Sequence, residues 1–392
     1  MKPAGSVLAI CIVLIGAGCT AQGDIQDIAP GEVPSLESDE AGLWMVMERA
    51  EQRLRASGRV VEDPALTGYV HGVLCDLSPD YCDDIRLYIV RAAAFNASMA
   101  PNGTLHVWTG LLLRVQNEAQ LAFVLGHELA HYQRRHTLKR WRTVRNTADS
   151  LVFFNFALAG AGIGFVGPLI QIAALGGLMS YSRDQEREAD ELGFASMSAT
   201  GYDPKEAQNL WDMLLAEREA SVDPDRDIFF STHPGEKERS DSLAKLAAEV
   251  DGRSYRVRRG PLLAVTLPHH DGWLHDELQR RDYGRFEVML DYLQKSGEKT
   301  GQKAGEETGL LLFYRGEMYR LRGAEDDDAK ALQAYRDAVA TGKAPPEAQR
   351  ALGLLYWRQD RNEDARAAFE RYLALEPEAE DRAMIEHYLG QL

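Results

Sequence analysis

Positive charge is in short supply: 44 lysines and arginines face 60 aspartates and glutamates, a formal net charge of −16 over 392 residues. A nucleic-acid binder needs basic patches to neutralise phosphates, so this balance argues against one, and against attraction to anionic surfaces. Long apolar runs are missing too. Residues 151–179 carry no charge, but glycines and Pro168 cut them into two pieces, neither long enough to cross a bilayer. They read as apolar helices or a lid beside an active site, with a membrane-dipping hairpin as the rival. Cysteine is the third scarcity, with four in the chain. Cys75 and Cys82 have no partner ligands nearby, which disfavours a metal site built on that pair.

The N-terminus explains the other two cysteines. Lys2 precedes a short apolar run, Val7 to Ile15, followed by Gly16-Ala17-Gly18-Cys19, the layout of a secretory signal. Cys19 after small residues resembles the lipobox of bacterial lipoproteins, where the thiol is acylated; Gly16 departs from the usual Leu. Thr20 rather than Asp then favours, by the same analogy, the outer membrane. Residues 20–40, polar with Pro and Gly, read as a flexible tether. Cys11 leaves with the signal at residues 1–19. In an exported chain Cys75 and Cys82 are expected to pair as a disulfide, stabilising by about 2.5 kcal/mol on the chain-entropy model; two buried free thiols are the alternative.

The expected fold class is mainly α (α+β). Helical periodicity covers residues 41–58, and Asp63-Pro64 opens a second helix. Strands are expected at 85–92, around 94–99 and at 105–109, with Pro101-Asn102-Gly103 as the turn. Asn117, with Gln120 three places on, caps a helix running through residues 127–131. Residues 183–198 form another. From about residue 271 the composition turns to paired helices. Leu352-Gly353, Tyr356, Ala365, Phe369 and Pro377 fit the roughly 34-residue tetratricopeptide (TPR) pattern. A looser copy runs from Gly309 through Gly316, Tyr319, Ala331, Tyr335 and Ala338, and a fainter one over 273–293. Such repeats cannot bury their apolar faces alone, so the array is expected to pack on the first domain.

His127-Glu128-Leu129-Ala130-His131 is an HExxH. Its imidazoles stand about 40° apart around a helix and one turn along it, so both reach one ion, with Glu128 able to take a proton from water. A catalytic zinc needs a third protein ligand. Glu186, 55 residues beyond His131, supplies it, and Asp190, one turn on, can accept the outer N–H of a ligand imidazole, His127. Glu188 reads as a solvated charge. His136, nine residues after His127, reads as a decoy on the opposite helix face, and His106, His269, His270, His275 and His387 as surface or structural.

HELAH followed by SRDQEREAD resembles the gluzincin family that includes HtpX and the CAAX prenyl protease. FNASMAPNGTLHVWTGLL resembles that family's edge strand and hairpin. Thr232-His233-Pro234 with Arg239 extends the match, and signal peptide, core and repeats together resemble its periplasmic BepA-like branch. The resemblance implies a zincin-like metallopeptidase domain at 41–255, one Zn2+ per chain, and a TPR-like helical domain at 271–392. It also implies catalytic Glu128, metal ligands His127, His131 and Glu186, and substrate along an edge strand at Asn96, Ala97, Ser98 and Met99. His233 and Arg239 are expected at the oxyanion, or His233 in the open zinc position as a latch; a His that merely caps a helix is the plain alternative. The implied function is quality control in the periplasm, cleaving unfolded or misassembled envelope proteins, with a partner protein on the repeats. The alternative is a chaperone or assembly adaptor acting through the TPR surface with a latent peptidase.

Overall fold

The computed structural model describes residues 25–145, 181–250, 255–299 and 306–392. The signal, Cys19 and the apolar segment 151–179 lie outside them. Among the described residues no helix is long and apolar enough to cross a membrane.

The fold is mainly helical with one small sheet, as expected. Helix α1 (Asp39–Arg55) starts at the Ser38 cap, with acidic residues in its first turn and arginines in its last, both favourable to the helix dipole. Asp63 caps α2 (Pro64–Leu77), whose proline sits where its missing N–H costs nothing. The Cys75–Cys82 disulfide forms at the end of α2. Strands β1 (Arg86–Val90), β2 (Ala97–Met99) and β3 (Thr104–Trp108) order as β1-β3-β2, with β1 parallel and β2 antiparallel to β3. The β2–β3 turn needs Gly103: its φ is 82°, and a Cβ there would meet the Asp84 carbonyl oxygen at 2.3 Å.

After β3 come α3 (Thr109–Arg114), α4 (Glu118–Gln133), which carries the HExxH, and α5 (His136–Arg145). Then follow α6 (Arg183–Ala199), α7 (Lys205–Ala220), the short α8 (Ile228–Thr232) and α9 (Glu236–Ala248). The remainder is helical: α10 (Arg259–Thr266), α11 (His270–Leu278), α12 (Tyr283–Lys299), α13 (Glu306–Arg322), α14 (Asp327–Ala340), α15 (Glu347–Arg358), α16 (Asn362–Leu375) and α17 (Arg382–Gln391). Two hairpins there share one packing device. Gly316 of α13 seats the Tyr335 ring of α14, and Gly353 of α15 seats the Phe369 ring of α16; a Cβ on either glycine would lie within 2.5 Å of that ring.

The tether reading fails from residue 25 onward. Ile28 N–H donates to the Gln133 carbonyl (3.0 Å), Tyr81 Oη–H donates to the Ile28 carbonyl (2.7 Å), and Gly31 N–H donates to Asp84 (2.8 Å). Asp27, Glu32, Asp39 and Glu40 pair with Arg134, Arg135 and Arg142 at the end of α4 and in α5. Composition alone suggested flexibility; acidic residues facing an arginine cluster distant in sequence hold the segment down.

The hydrophobic core runs unbroken from Ile28 to Ile385, so the helical array packs on the first part of the chain as expected. Ions stitch the same junction. Arg114 of α3 pairs with Glu217 of α7 (2.8 Å) and Glu277 of α11 (3.0 Å), and Arg285 of α12 pairs with Glu217 (3.0 Å) and Asp227 (2.6 Å). All five side chains are buried. Burying such charges is costly, and only mutual compensation makes it tolerable. Glu217→Ala leaves two arginines short of a partner and should destabilise by about 3–5 kcal/mol; an unshifted urea midpoint would contradict this.

Candidate metal centre

Asn117 caps α4 by accepting from Gln120 N–H (2.9 Å), and the buried Glu118 carboxylate takes Tyr69, Tyr202 and Arg258. So fixed, α4 is buried along almost its whole length. Helix α6 crosses it at unusually short range because glycine meets glycine. A Cβ on Gly126 would lie 3.1 Å from Gly193 Cα, and one on Gly193 would lie 2.8 Å from the His127 backbone nitrogen. Only that approach lets Glu186, near the start of α6, reach the histidines of α4. Ser182 and Gln185 form the capping box that starts α6.

The donor atoms converge. His127 Nε2 and His131 Nε2 are 3.0 Å apart, and the Glu186 oxygens lie 3.5 and 3.6 Å from them. Ligand atoms about 2.1 Å from a shared tetrahedral centre stand about 3.4 Å from one another, so the spacing suits zinc. The protons suit it as well. His127 Nδ1 lies 3.0 Å from Asp190, which can only accept, so His127 Nε2 keeps its lone pair towards Glu186 and His131. Two imidazole nitrogens and a carboxylate facing one point form a donor set that would suit a divalent cation. Glu128 adds an acceptor without a donor: both its oxygens are buried and neither has a hydrogen-bond partner among the described residues.

His233 joins the cluster. Its Nδ1 is 3.3 Å from His127 Nε2 and 3.2 Å from both Glu186 oxygens, and its Nε2 is 3.7 Å from Glu128. The four residues His127, His131, Glu186 and His233 present donor atoms within 4.8 Å of one another. Burial disfavours a charged His233 imidazole, but Glu186 and Glu128 outweigh it and raise its pKa. The other grouping, His71 with Cys75 and Cys82, has its sulfurs tied in the disulfide.

Arg239 is buried beside the cluster. Its guanidinium grips both oxygens of Asp190 (2.6 and 2.7 Å) and one of Glu186 (2.6 Å), and lies over the Trp211 ring. Burial would raise the Asp190 pKa, yet Arg239 and His127 together push it down to about 2. The expected edge strand is there. Trp108 N–H donates to Asn96 O and Ala100 N–H to Thr104 O, so the backbone groups of Ala97 and Met99 face away from β3, where no described strand pairs with them.

Two residues set aside on sequence grounds belong to the site. Helix α4 ends at Gln133, and Arg135, at φ 50°, turns the chain so that His136 swings back against His131, the two Nδ1 atoms 2.8 Å apart. Glu188 accepts from His136 (3.1 Å) and pairs with Arg134 (3.1 Å), so it is no free charge. The decoy argument assumed a continuous helix, and no Gly or Pro marks the break. Tyr181, also missed, stacks on His131 at 3.7 Å, its hydroxyl bonded to Thr137 (3.0 Å).

Residues 80–247 match the profile of peptidase family M48. The putative beta-barrel assembly-enhancing protease of Vibrio cholerae is 27% identical over 290 residues, 67% of this chain and 57% of that one. The mitochondrial metalloendopeptidase OMA1 of Schizosaccharomyces pombe is 35% identical over 156 residues, 39% of this chain and 44% of its own. The beta-barrel assembly-enhancing protease of Escherichia coli K12 is 25% identical over 239 residues, covering 57% and 48%. The chain thus spans about half the length of the curated relatives it matches. Gly193→Ala should force α6 off α4, lowering stability by about 1–3 kcal/mol and the zinc content of the purified protein with it. Metal analysis with denaturant titration checks this, and full zinc occupancy would show that the helices can part without loss.

Proposed function

We propose that this chain, whose residues 80–247 match the profile of peptidase family M48, is a zinc-dependent endopeptidase of the bacterial cell envelope that cuts unfolded or misassembled proteins. One observation carries the reading: the donors of His127, His131 and Glu186 converge beside a buried Glu128 whose oxygens have no hydrogen-bond partner among the described residues. Those three residues would hold the ion. When bound, zinc supplies Lewis acidity, polarising a carbonyl oxygen and bringing the pKa of a water to about 7. Glu128 takes the proton of the attacking water and returns it to the leaving amine nitrogen. Asp190 holds the His127 ring in one tautomer, and Arg239 holds Asp190 and Glu186 in place.

Substrate lies along β2, adding a strand to the outward backbone groups of Ala97 and Met99, while the buried Oδ1 of Asn96, without a hydrogen-bond partner among the described residues, is an acceptor at the end of that edge. Ser98 pairs with β3 within the strand. Recognition through backbone selects extended chains and spares compact domains. Helix pairs 306–340 and 347–375 act as TPR-like repeats that hold a partner protein, and the chain is lipid-anchored through Cys19 at the outer membrane. Names of the Vibrio and Escherichia relatives, which refer to beta-barrel assembly, support an envelope role.

The place of His233 Nδ1 among the donors favours a second, compatible reading in which this residue takes the open position and keeps the peptidase latent until its segment moves. Cleavage of an unfolded protein such as casein by the unlipidated mature chain tests both. Glu128→Gln should retain zinc and lose cleavage by about 10²–10⁴-fold, whereas His233→Ala should cleave faster than the parent. Zinc in the parent without cleavage in either it or His233→Ala would favour the adaptor; no zinc would remove the metal site.

A further inference from the structure

We propose that His136 is a positioning residue for the metal ligand His131, anchored in turn by Glu188; this rests on the zinc reading of the site. The two ligand imidazoles need their outer nitrogens fixed, and the partner of His127 is evident in Asp190. For His131 the partner is another imidazole, His136, whose Nδ1 lies 2.8 Å away. An imidazole can orient a second one only if a third group decides which of them donates, and Glu188 decides it. An ionised carboxylate has no proton to give, so the 3.1 Å contact between Glu188 Oε2 and His136 Nε2 places the His136 proton on Nε2. His136 Nδ1 is then the acceptor, His131 Nδ1 carries the donated proton, and His131 Nε2 presents its lone pair to His127 and Glu186. The opposite arrangement would put a proton on His131 Nε2, pointing it into the donor cluster and abolishing ligation.

The surroundings are built to hold this chain of contacts. His136 is fully buried, at the first residue of α5. Arg135, whose left-handed backbone sets the turn, is pinned by Glu32 and Glu40 of the N-terminal segment. Arg134 holds the other oxygen of Glu188. The opposite face of His131 lies flat on Tyr181. Helix α6 therefore contributes ligand Glu186 and, through Glu188 and Asp190, a route to each of the two histidines.

Zinc affinity measured by competition with a chromophoric chelator, on the unlipidated mature chain, tests the assignment. His136→Phe keeps a ring and removes the acceptor, and should raise the zinc dissociation constant about ten- to a hundredfold. Glu188→Ala, at a side chain 42% exposed, should weaken zinc in the same direction by less, without lowering the unfolding temperature of the metal-free protein. Glu188→Gln, which retains an acceptor oxygen, should return affinity towards the parent. The visible spectrum of the cobalt-substituted protein should change in His136→Phe, as a tilted ligand ring requires. Unchanged affinity and cobalt spectrum in both His136→Phe and Glu188→Ala would overturn the assignment while leaving the peptidase reading intact. A parent that binds no zinc would overturn both. If His136→Phe does not fold, Glu188→Ala decides alone: parental affinity overturns the proposal and weakened affinity supports it.

Discussion

The contact between Gly126 and Gly193 is the constraint on which the rest of the site depends. Helices normally pack 8–10 Å apart, a distance set by the side chains between them. Here there are none at the crossing, and a single methyl group would collide with backbone that cannot move aside. The short approach brings a carboxylate from α6 within 3.6 Å of an imidazole on α4. Glu186 and the HExxH pair lie far apart in sequence, so the ligand set exists only as long as this packing does. On the zinc reading, stability of the core and capacity for metal are one property, not two.

Close packing creates an electrostatic problem that the structure answers with layered pairing. Glu128, Glu186 and Asp190 are three carboxylates in one dry volume. Arg239 is the countercharge for two of them, and its position over Trp211 fixes the guanidinium plane so that both are reached from one side. Glu128 has no hydrogen bond among the described residues. A carboxylate satisfied by arginine would be a poor base, because the charge-assisted bond lowers its proton affinity. The selective pairing thus sets Glu128 apart from Glu186 and Asp190, in keeping with the role proposed for it.

Much of this could be read from the sequence where spacing along one element carries the information. Four-residue separations placed His127 with His131 and Glu186 with Asp190, and the Asp63-Pro64 and Asn117 caps located their helices, because those signals are local. What escaped depends on backbone turns or on contacts distant in sequence. His136 was misjudged because Arg135 adopts φ 50° without a glycine to announce it. Glu188 was misjudged because its partners, His136 and Arg134, follow that same turn. The bound course of residues 25–40 depends on arginines about a hundred positions away, and Pro and Gly content could not reveal it. The contacts of Arg239 with Asp190 and Glu186 were not legible either, since a charge in a motif does not say which of several carboxylates it meets.

The site also extends beyond the motifs in a direction that composition does not show. His233 follows α8, whose start is capped by Asp227 accepting from Phe229 and Phe230 N–H. The second oxygen of Asp227 accepts from Arg285 of α12 at 2.6 Å, and Arg285 shares Glu217 with Arg114, the last residue of the short helix α3 that leads into α4. The segment that sets His233 against Glu186 is therefore tied directly to the helical array. Because every charge in that chain is buried, none can be released without leaving another uncompensated. A displacement of α12 must either break a buried ion pair or carry Asp227, and the start of α8, along with it. The helical half of the molecule is in this sense part of the geometry of the candidate metal centre, and the continuous core between the two is what keeps the ion network buried.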